Sequence, residues 1–160
     1  MRMPLSTACC GRSAAALIYV SDQIWGTRNP MVLKPLAYHN GEILMMDHSA
    51  KPTEDCMFSD PMKTGVLKLH NTASWGSVKK GGGIAVYNLT DGIQDFSFRP
   101  ADIPQLEESD NYWVYDYFAE KRFFRWANRK SYESRLDLGG FGWFVLASKG
   151  KIRHLPGAAG

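Results

Sequence analysis

No run of about 18 apolar residues occurs in the sequence, so no membrane-spanning helix is predicted. Cysteine is scarce, with three in 160 residues, and Cys9 and Cys10 are adjacent. That excludes a disulfide framework and points to a reducing, cytoplasmic compartment. Metal-ligand spacing is missing too. His39, His48, His70 and His154 form no H-x₃-H or HExxH pattern and none stands beside paired cysteines, so no metal and no cofactor is expected. Lys79-Lys80-Gly81-Gly82-Gly83 lacks the Gly-Lys-Ser/Thr ending of a phosphate loop and leads into a strand, so it reads as a turn before that strand. Arg2 followed by the apolar residues 14–20 has the outline of a signal peptide, but no A-x-A-like cleavage site follows. The sequon Asn88-Leu89-Thr90 would matter only in a secreted chain. No internal repeat or low-complexity tract appears.

What is present suits one compact domain, or one domain and a fragment of another. The chain is 44% hydrophobic and 12% aromatic, enough for a core. Twelve of the 20 aromatics lie between Tyr112 and Phe144, which places that core in the C-terminal half. Net charge is +3 but unevenly spread. Residues 101–120 carry six acids and no Lys or Arg, whereas residues 121–160 carry nine bases against Glu133 and Asp137. A basic region interleaved with Phe123, Phe124, Trp126 and Tyr132 could face nucleic acid. Acidic and basic strands lying side by side account for the same pattern, and no nucleic-acid or membrane partner is expected.

Residues 14–20 form a continuous apolar run with β-branched Ile18 and Val20, the mark of a strand buried on both faces as in a parallel sheet. Asn29-Pro30 then predicts a short helix limited by Pro35, and Asn40-Gly41 a turn. From Glu42 onward short strand candidates follow one another, punctuated by Gly, Pro, Asn and Asp. They are residues 43–46, 66–69, 84–89, 94–98, 112–119, 122–126, 131–136, 142–147 and 151–154, with Lys149-Gly150-Lys151 as a hairpin turn. Regular short strands of this kind predict an antiparallel sandwich or barrel. The change of pattern puts a boundary near residues 38–42.

Few residues invite chemistry. Cys56 has no neighbouring base and reads as an inert, partly buried thiol. Asp47, Glu54, Asp55 and Asp60 lie close in sequence, and glycoside hydrolysis needs two carboxylates about 5–5.5 Å apart for retention. Asp60 before Pro61 is also a turn starter. Asp22 differs, because it ends the first strand. Polar residues at the C-terminal ends of (β/α)₈ barrel strands face the active site, so Asp22 is a candidate substrate contact, alternatively an Asx cap of its loop. Trp25-Gly26 and Trp75-Gly76 place tryptophans in loops, where they either stack on sugar or anchor the loop.

The wording of the chain is similar to a known family. Ile18-Tyr19-Val20-Ser21-Asp22 resembles the last barrel-strand segment of the raffinose synthase and seed imbibition protein group, the alkaline α-galactosidase-like branch of family 36 glycoside hydrolases. Val32-Leu33-Lys34-Pro35-Leu36 with Asn40-Gly41-Glu42-Ile43-Leu44 resembles its "LLKxLV…DGxIL" stretch. Lys51-Pro52-Thr53-Glu54-Asp55-Cys56-Met57-Phe58-Ser59-Asp60-Pro61 resembles "RPTxDCLFxDP", the most specific of these matches. Leu67-Lys68-Leu69-His70-Asn71 and Gly83-Ile84-Ala85-Val86-Tyr87-Asn88 resemble "LLKIWN…GVxGVFN". The likeness runs over residues 16–148. It departs at Ala15-Ala16-Leu17, where the family usually has Gly-Gly-Pro, and residues 1–15 do not follow the family.

The resemblance implies a mainly β chain: a C-terminal antiparallel β-sandwich over residues 41–156, preceded in residues 1–40 by the last strand and helix of a (β/α)₈ barrel, with a tail at 157–160. It implies the C-terminal, non-catalytic part of an α-galactosidase or raffinose synthase-like enzyme. The partner would be an α-galactoside oligosaccharide, bound through a barrel whose catalytic aspartates are not in this chain. No catalytic residue is then expected, and Asp22 and Trp25 are the candidate substrate contacts. The alternative is a free-standing carbohydrate-binding β-sandwich module using Trp25, Trp75 and exposed aromatic strand faces.

Overall fold

A computed structural model describes residues 40–41, 46–75, 78–104, 106, 111–118, 122–127 and 130–148; at 75, 78–80, 111, 122–127 and 148 the description is of backbone alone. The segments predicted around residues 14–20 and 30–36, and the strand at 151–154, lie outside these residues. So do the hairpin turn at 149–151 and most of 43–46, of which Met46 is described and is not in a strand.

The described chain is mainly β and antiparallel throughout. In chain order it runs β1 (Lys51–Pro52), α1 (Glu54–Phe58), α2 (Pro61–Thr64), β2 (Val66–Trp75), β3 (Val78–Asn88), β4 (Gln94–Phe98), a 3₁₀ turn (Pro100–Asp102), β5 (Asn111–Asp116), β6 (Arg122–Ala127), β7 (Tyr132–Leu136) and β8 (Phe141–Ser148). One sheet has six strands in the order β1-β2-β3-β8-β5-β6, and a second pairs β4 with β7. The last described strand, β8, fills the centre of the large sheet between β3 and β5.

Strand alternation decides what each face of the large sheet buries. Ile84, Val86, Val114, Phe144 and Leu146 point to one side, where Phe96, Phe98 and Tyr132 of the small sheet meet them together with Ile103, Leu106 and Tyr112. The rings of Phe96, Phe98 and Tyr132 stand 5.6, 5.0 and 5.1 Å from Phe144, tilted rather than stacked. Such offset geometry is favoured by aromatic quadrupoles. The Tyr112 hydroxyl, inside this core, donates to the carbonyl of Leu106 at 2.7 Å. The opposite face carries a second cluster, Met46, Ala73, Ala85 and Trp143, with half-buried Leu69, Tyr87, Tyr117, Phe141 and Val145 around it.

Two readings of the sequence need correction. The Lys79–Gly83 stretch is not a turn: it lies within β3, and Gly81, Gly82 and Gly83 pair with Ala147, Leu146 and Val145. A backbone ladder on both sides holds the glycines extended, and bulky neighbours fill the room they leave. A Cβ on Gly83 would run into the Trp143 ring and come within 2.8 Å of Met46 Cε. The strand predicted to reach residue 119 ends at Asp116, where the Asp116 carboxylate accepts from the amide of Phe118 at 3.1 Å and turns the chain. The two short helices were not predicted at all.

Candidate functional site

Asp22 and Trp25, the two candidate substrate contacts, lie outside the described residues. Several of the described carboxylates have local structural work, and two of them, Asp55 and Asp60, fall in residues 51–65.

This segment is a clasp on the edge of the large sheet. Lys51 and Pro52 pair with His70 and Leu69 of β2. Thr53 is fully buried, and its amide continues the ladder to the Lys68 carbonyl at 3.0 Å. Its hydroxyl donates to Asp55 Oδ1 at 2.6 Å, and its carbonyl accepts from the Met57 amide to start α1. Cys56 points back to β2, where Sγ accepts from the Lys68 amide at 3.3 Å and lies 3.6 Å from the Val66 carbonyl oxygen. It is a half-buried free thiol. Asp60 caps α2 by accepting from the Met62 amide at 3.0 Å, with Pro61 in the first helical position where its missing N–H costs nothing. Gly65 closes α2 at φ 82°, a left-handed conformation that disfavours any residue with a Cβ.

Lys68 joins the clasp to the small sheet. Nζ lies 2.6 Å from Asp55 Oδ2 and donates to the Ser97 carbonyl of β4 at 2.9 Å. Burial pushes the Asp55 carboxyl up, but the hydrogen bonds from Lys68 and Thr53 and the lysine charge outweigh it, leaving Asp55 below its ordinary value. Glu54 and Asp47 are exposed. Asp55 is thus held in an ion pair and Asp60 in a helix cap.

His70 stands next to this clasp, buried at 8% exposure, and its Nδ1 has no hydrogen-bond partner among the described residues. Burial lowers its pKa, the Lys51 charge lowers it further, and Asp102 opposes both. Asp102 in turn accepts from the Arg99 amide at 2.8 Å and pairs with the Arg99 guanidinium at 3.2 Å. Among the described residues no group of three His, Cys, Asp or Glu side chains is placed to hold a metal ion.

Asn88 of the sequon forms a second clasp at the far end of β3. Its buried Nδ2 donates to the carbonyls of Gly92 at 2.6 Å, Asp137 at 2.8 Å and Leu136 at 3.3 Å. Its Oδ1 accepts from the amide and hydroxyl of Thr90 at 2.9 and 2.8 Å.

Sequence reasoning missed Lys68 and His70 as structural residues. Their signal was register: both share the phase of Val66, which packs on the inner core, while Leu67 and Leu69 occupy the other phase. It also missed the exposed apolar group Met57, Phe58 and Met62, at 64, 83 and 74% exposure.

Comparison with known proteins bears on the same segment. The family model described as "Raffinose synthase or seed imbibition protein Sip1" matches residues 6–93, which include the whole clasp. Galactinol–sucrose galactosyltransferase of Pisum sativum is 36% identical over 77 residues, 47% of this chain and 9% of that protein. The protein of the same name in Oryza sativa subsp. japonica is 38% identical over 63 residues, 38% of this chain and 8% of its own length. The chain thus spans under a tenth of the length of these curated relatives. Among solved structures, α-galactosidase I of Mortierella vinacea superposes with a TM-score of 0.48 at 11% identity, over 63% of this chain and 23% of that one. A GH27 β-L-arabinopyranosidase of Geobacillus stearothermophilus gives 0.48 at 11%, over 69% and 22%. These two likenesses are too distant to carry function.

Proposed function

The chain belongs to the raffinose synthase and seed imbibition protein family, and from that premise we propose that it is the C-terminal, non-catalytic part of a protein acting on α-galactosides. In this reading residues 1–40 are the end of a (β/α)₈ barrel and residues 41–156 a β-sandwich that packs on it and supports its shape. The sugar would be an oligosaccharide such as the galactinol and sucrose named for the relatives, held by barrel elements outside this chain, with Asp22 and Trp25 as the chain's own contacts. Hydrolysis and galactosyl transfer are both open to a parent of this kind. A reducing, cytoplasmic setting goes with the free Cys56 thiol.

The observation that carries the reading is the use of the family-matching segment. Among its described side chains Thr53, Asp55, Cys56 and Asp60 bond within the segment and to the neighbouring strand β2. A stretch whose polar side chains bond in this way supports a fold.

Two assays test this. The purified chain, given galactinol with sucrose or an aryl α-galactoside, is expected to show no turnover. Turnover abolished by Asp22→Asn would overturn the non-catalytic reading. In the Pisum sativum relative, deleting the stretch that matches this chain is expected to remove soluble, active enzyme; undiminished activity would sink the supporting role. The module alternative has its own readout: a saturable shift of tryptophan fluorescence with raffinose would put sugar binding in its place.

A further inference from the structure

Among the described residues, the large apolar side chains that stand exposed all gather at one end of the two sheets. At that end β2 begins, β3 stops and β8 begins, since Val66 pairs with Asn88 and Tyr87 with Phe141. There too β4 begins and β7 stops, with Gln94 opposite Leu136. Cys56 bonds at the first residues of β2 and so brings α1, with Met57 and Phe58, to the same end.

Hydrogen bonds hold the connections at this end side by side. The Leu89 amide donates to the Gly65 carbonyl and the Gly65 amide to the Pro61 carbonyl, both at 2.8 Å, which sets Leu89 next to α2 and its Met62. Asn88 Nδ2 gathers the carbonyls of Gly92 and Asp137, the residues just before Ile93 and Leu138, which are 62 and 63% exposed. The Asn88 amide reaches the Gly140 carbonyl, and next to it Phe141 carries the Phe118 ring at 5.0 Å. Polar groups and glycine already make these turns: Asp60 and Gly65 for α2, Asn88 with Thr90 for the link from β3 to β4. The exposed apolar side chains are surplus to that work. At their exposures, residues of about 200 Å² each leave roughly 800 Å² of largely apolar surface. The largest patch on a typical monomer is about 300–600 Å², whereas a stable pair of proteins buries about 800 Å² on each partner. This end is thus the size of one half of a standard interface.

We propose that this end of the β structure is a homodimer interface, where a second copy of the chain covers Met57, Phe58, Met62, Ile93 and Leu138 with the same side chains across a two-fold axis. A two-fold pair sets one patch against itself. Apolar contact is non-directional, so such a patch is its own complement. The charges around it set how the pair responds to salt. Glu54, Asp60, Asp91 and Asp137 are exposed at this end, with Lys63 as the base among them. Acidic rims repel across the axis, and salt relieves that repulsion. The pair therefore tightens as salt rises. The inference goes beyond the supporting role proposed above and does not rest on it.

Sedimentation velocity of the full chain over about 1–100 μM tests it. The mass is expected to climb from one chain to two and stop there, with pairing that strengthens as sodium chloride is added. The double variant Met57→Ser with Phe58→Ser should weaken pairing about ten-fold or more. Leu138→Asp, on a different connection, should weaken it to a similar degree and serves alone if the double variant does not fold. Ala101→Ser, on the exposed turn at the opposite end, should leave pairing unchanged. A chain that stays single at about 100 μM overturns the proposal. So does pairing that neither variant weakens. Growth past two copies would mean unlike surfaces meeting head to tail, and would overturn it as well. Pairing that loosens with salt would set a basic surface against this acidic rim and refute the like-with-like contact.

Discussion

At the residue scale, Lys68 shows how a charge is kept inside a β structure. Its ammonium is shared between the Asp55 carboxylate and the Ser97 carbonyl, so one side chain ties the edge clasp to the small sheet. Lys68→Ala should destabilise the chain by about 2 kcal/mol, because a charge-assisted hydrogen bond is lost while the pair's other half remains partly in water. Lys68→Met, which keeps the stem, should lose less; urea midpoints compare the two. His70 predicts a pH effect of definite sign. Its folded pKa lies below the ordinary 6.5, so the unfolded chain takes up the proton first. The stability it contributes is complete above pH 6.5, falls as pH drops through 6.5, and levels off below the folded value. His70→Leu should flatten the fall in urea midpoint between pH 7.5 and 5.5; an unchanged slope would contradict this. Asp55 acts lower, its contribution being present above 3.8 and lost as pH falls through its depressed folded value. Neither residue was legible as structural from sequence. A lysine in an apolar strand reads as a solvent-facing break in the pattern until the partner strand and register are known.

At the element scale, β3 is the strand on which most else rests, being paired on both sides with β2 and β8. Its glycines answer to side chains elsewhere, chiefly the Trp143 ring lying over Gly83. Gly83→Ala is expected to cost about 1–3 kcal/mol through overpacking, measured by thermal and urea denaturation. The variant should also loosen Met46, which shares that space. Element by element, the short β-rich runs were readable wherever hydrophobic alternation was clean: β4 coincides with its predicted span, and β6, β7 and β8 come within a residue or so at either end. β2 and β3 run longer than their apolar stretches, because Thr72, Lys79, Lys80 and three glycines carry no alternation and extend only through the ladder. The two helices span five and four residues, too short for a 3.6-residue period to register. Only Asp60-Pro61 announced one of them, and it was read as a turn. The family-matching segment was recognised from its wording, yet its physical role as a clasp needed the positions of Lys68 and Cys56 across β2.

At the scale of the whole molecule, the described chain is two sheets that share one core, and the clasp's outer side exposes apolar surface. Met57, Phe58 and Met62 form that surface and are largely exposed. The triple variant Met57→Ser, Phe58→Ser, Met62→Ser should change stability by no more than about 0.5 kcal/mol and reduce self-association in sedimentation velocity runs. A large loss of stability would mean that these side chains pack inside the fold.

The clasp at Asn88 carries a consequence for synthesis. Its amide closes on the carbonyls of Leu136 and Asp137, 48 and 49 residues further along the chain. At about 5–20 residues per second of translation, these partners arrive several seconds after the sequon itself. During that interval the Asn88 side chain has Thr90 and Gly92 beside it but lacks Leu136 and Asp137. In a compartment with N-glycosylating enzymes it would compete as a substrate, and a glycan on Nδ2 would take one of its two hydrogens and crowd the site where three carbonyls now meet it. Routing this chain through a secretory lumen therefore sets sugar attachment against folding at a single nitrogen, and a chain modified there would have to close the end of its two sheets around the glycan.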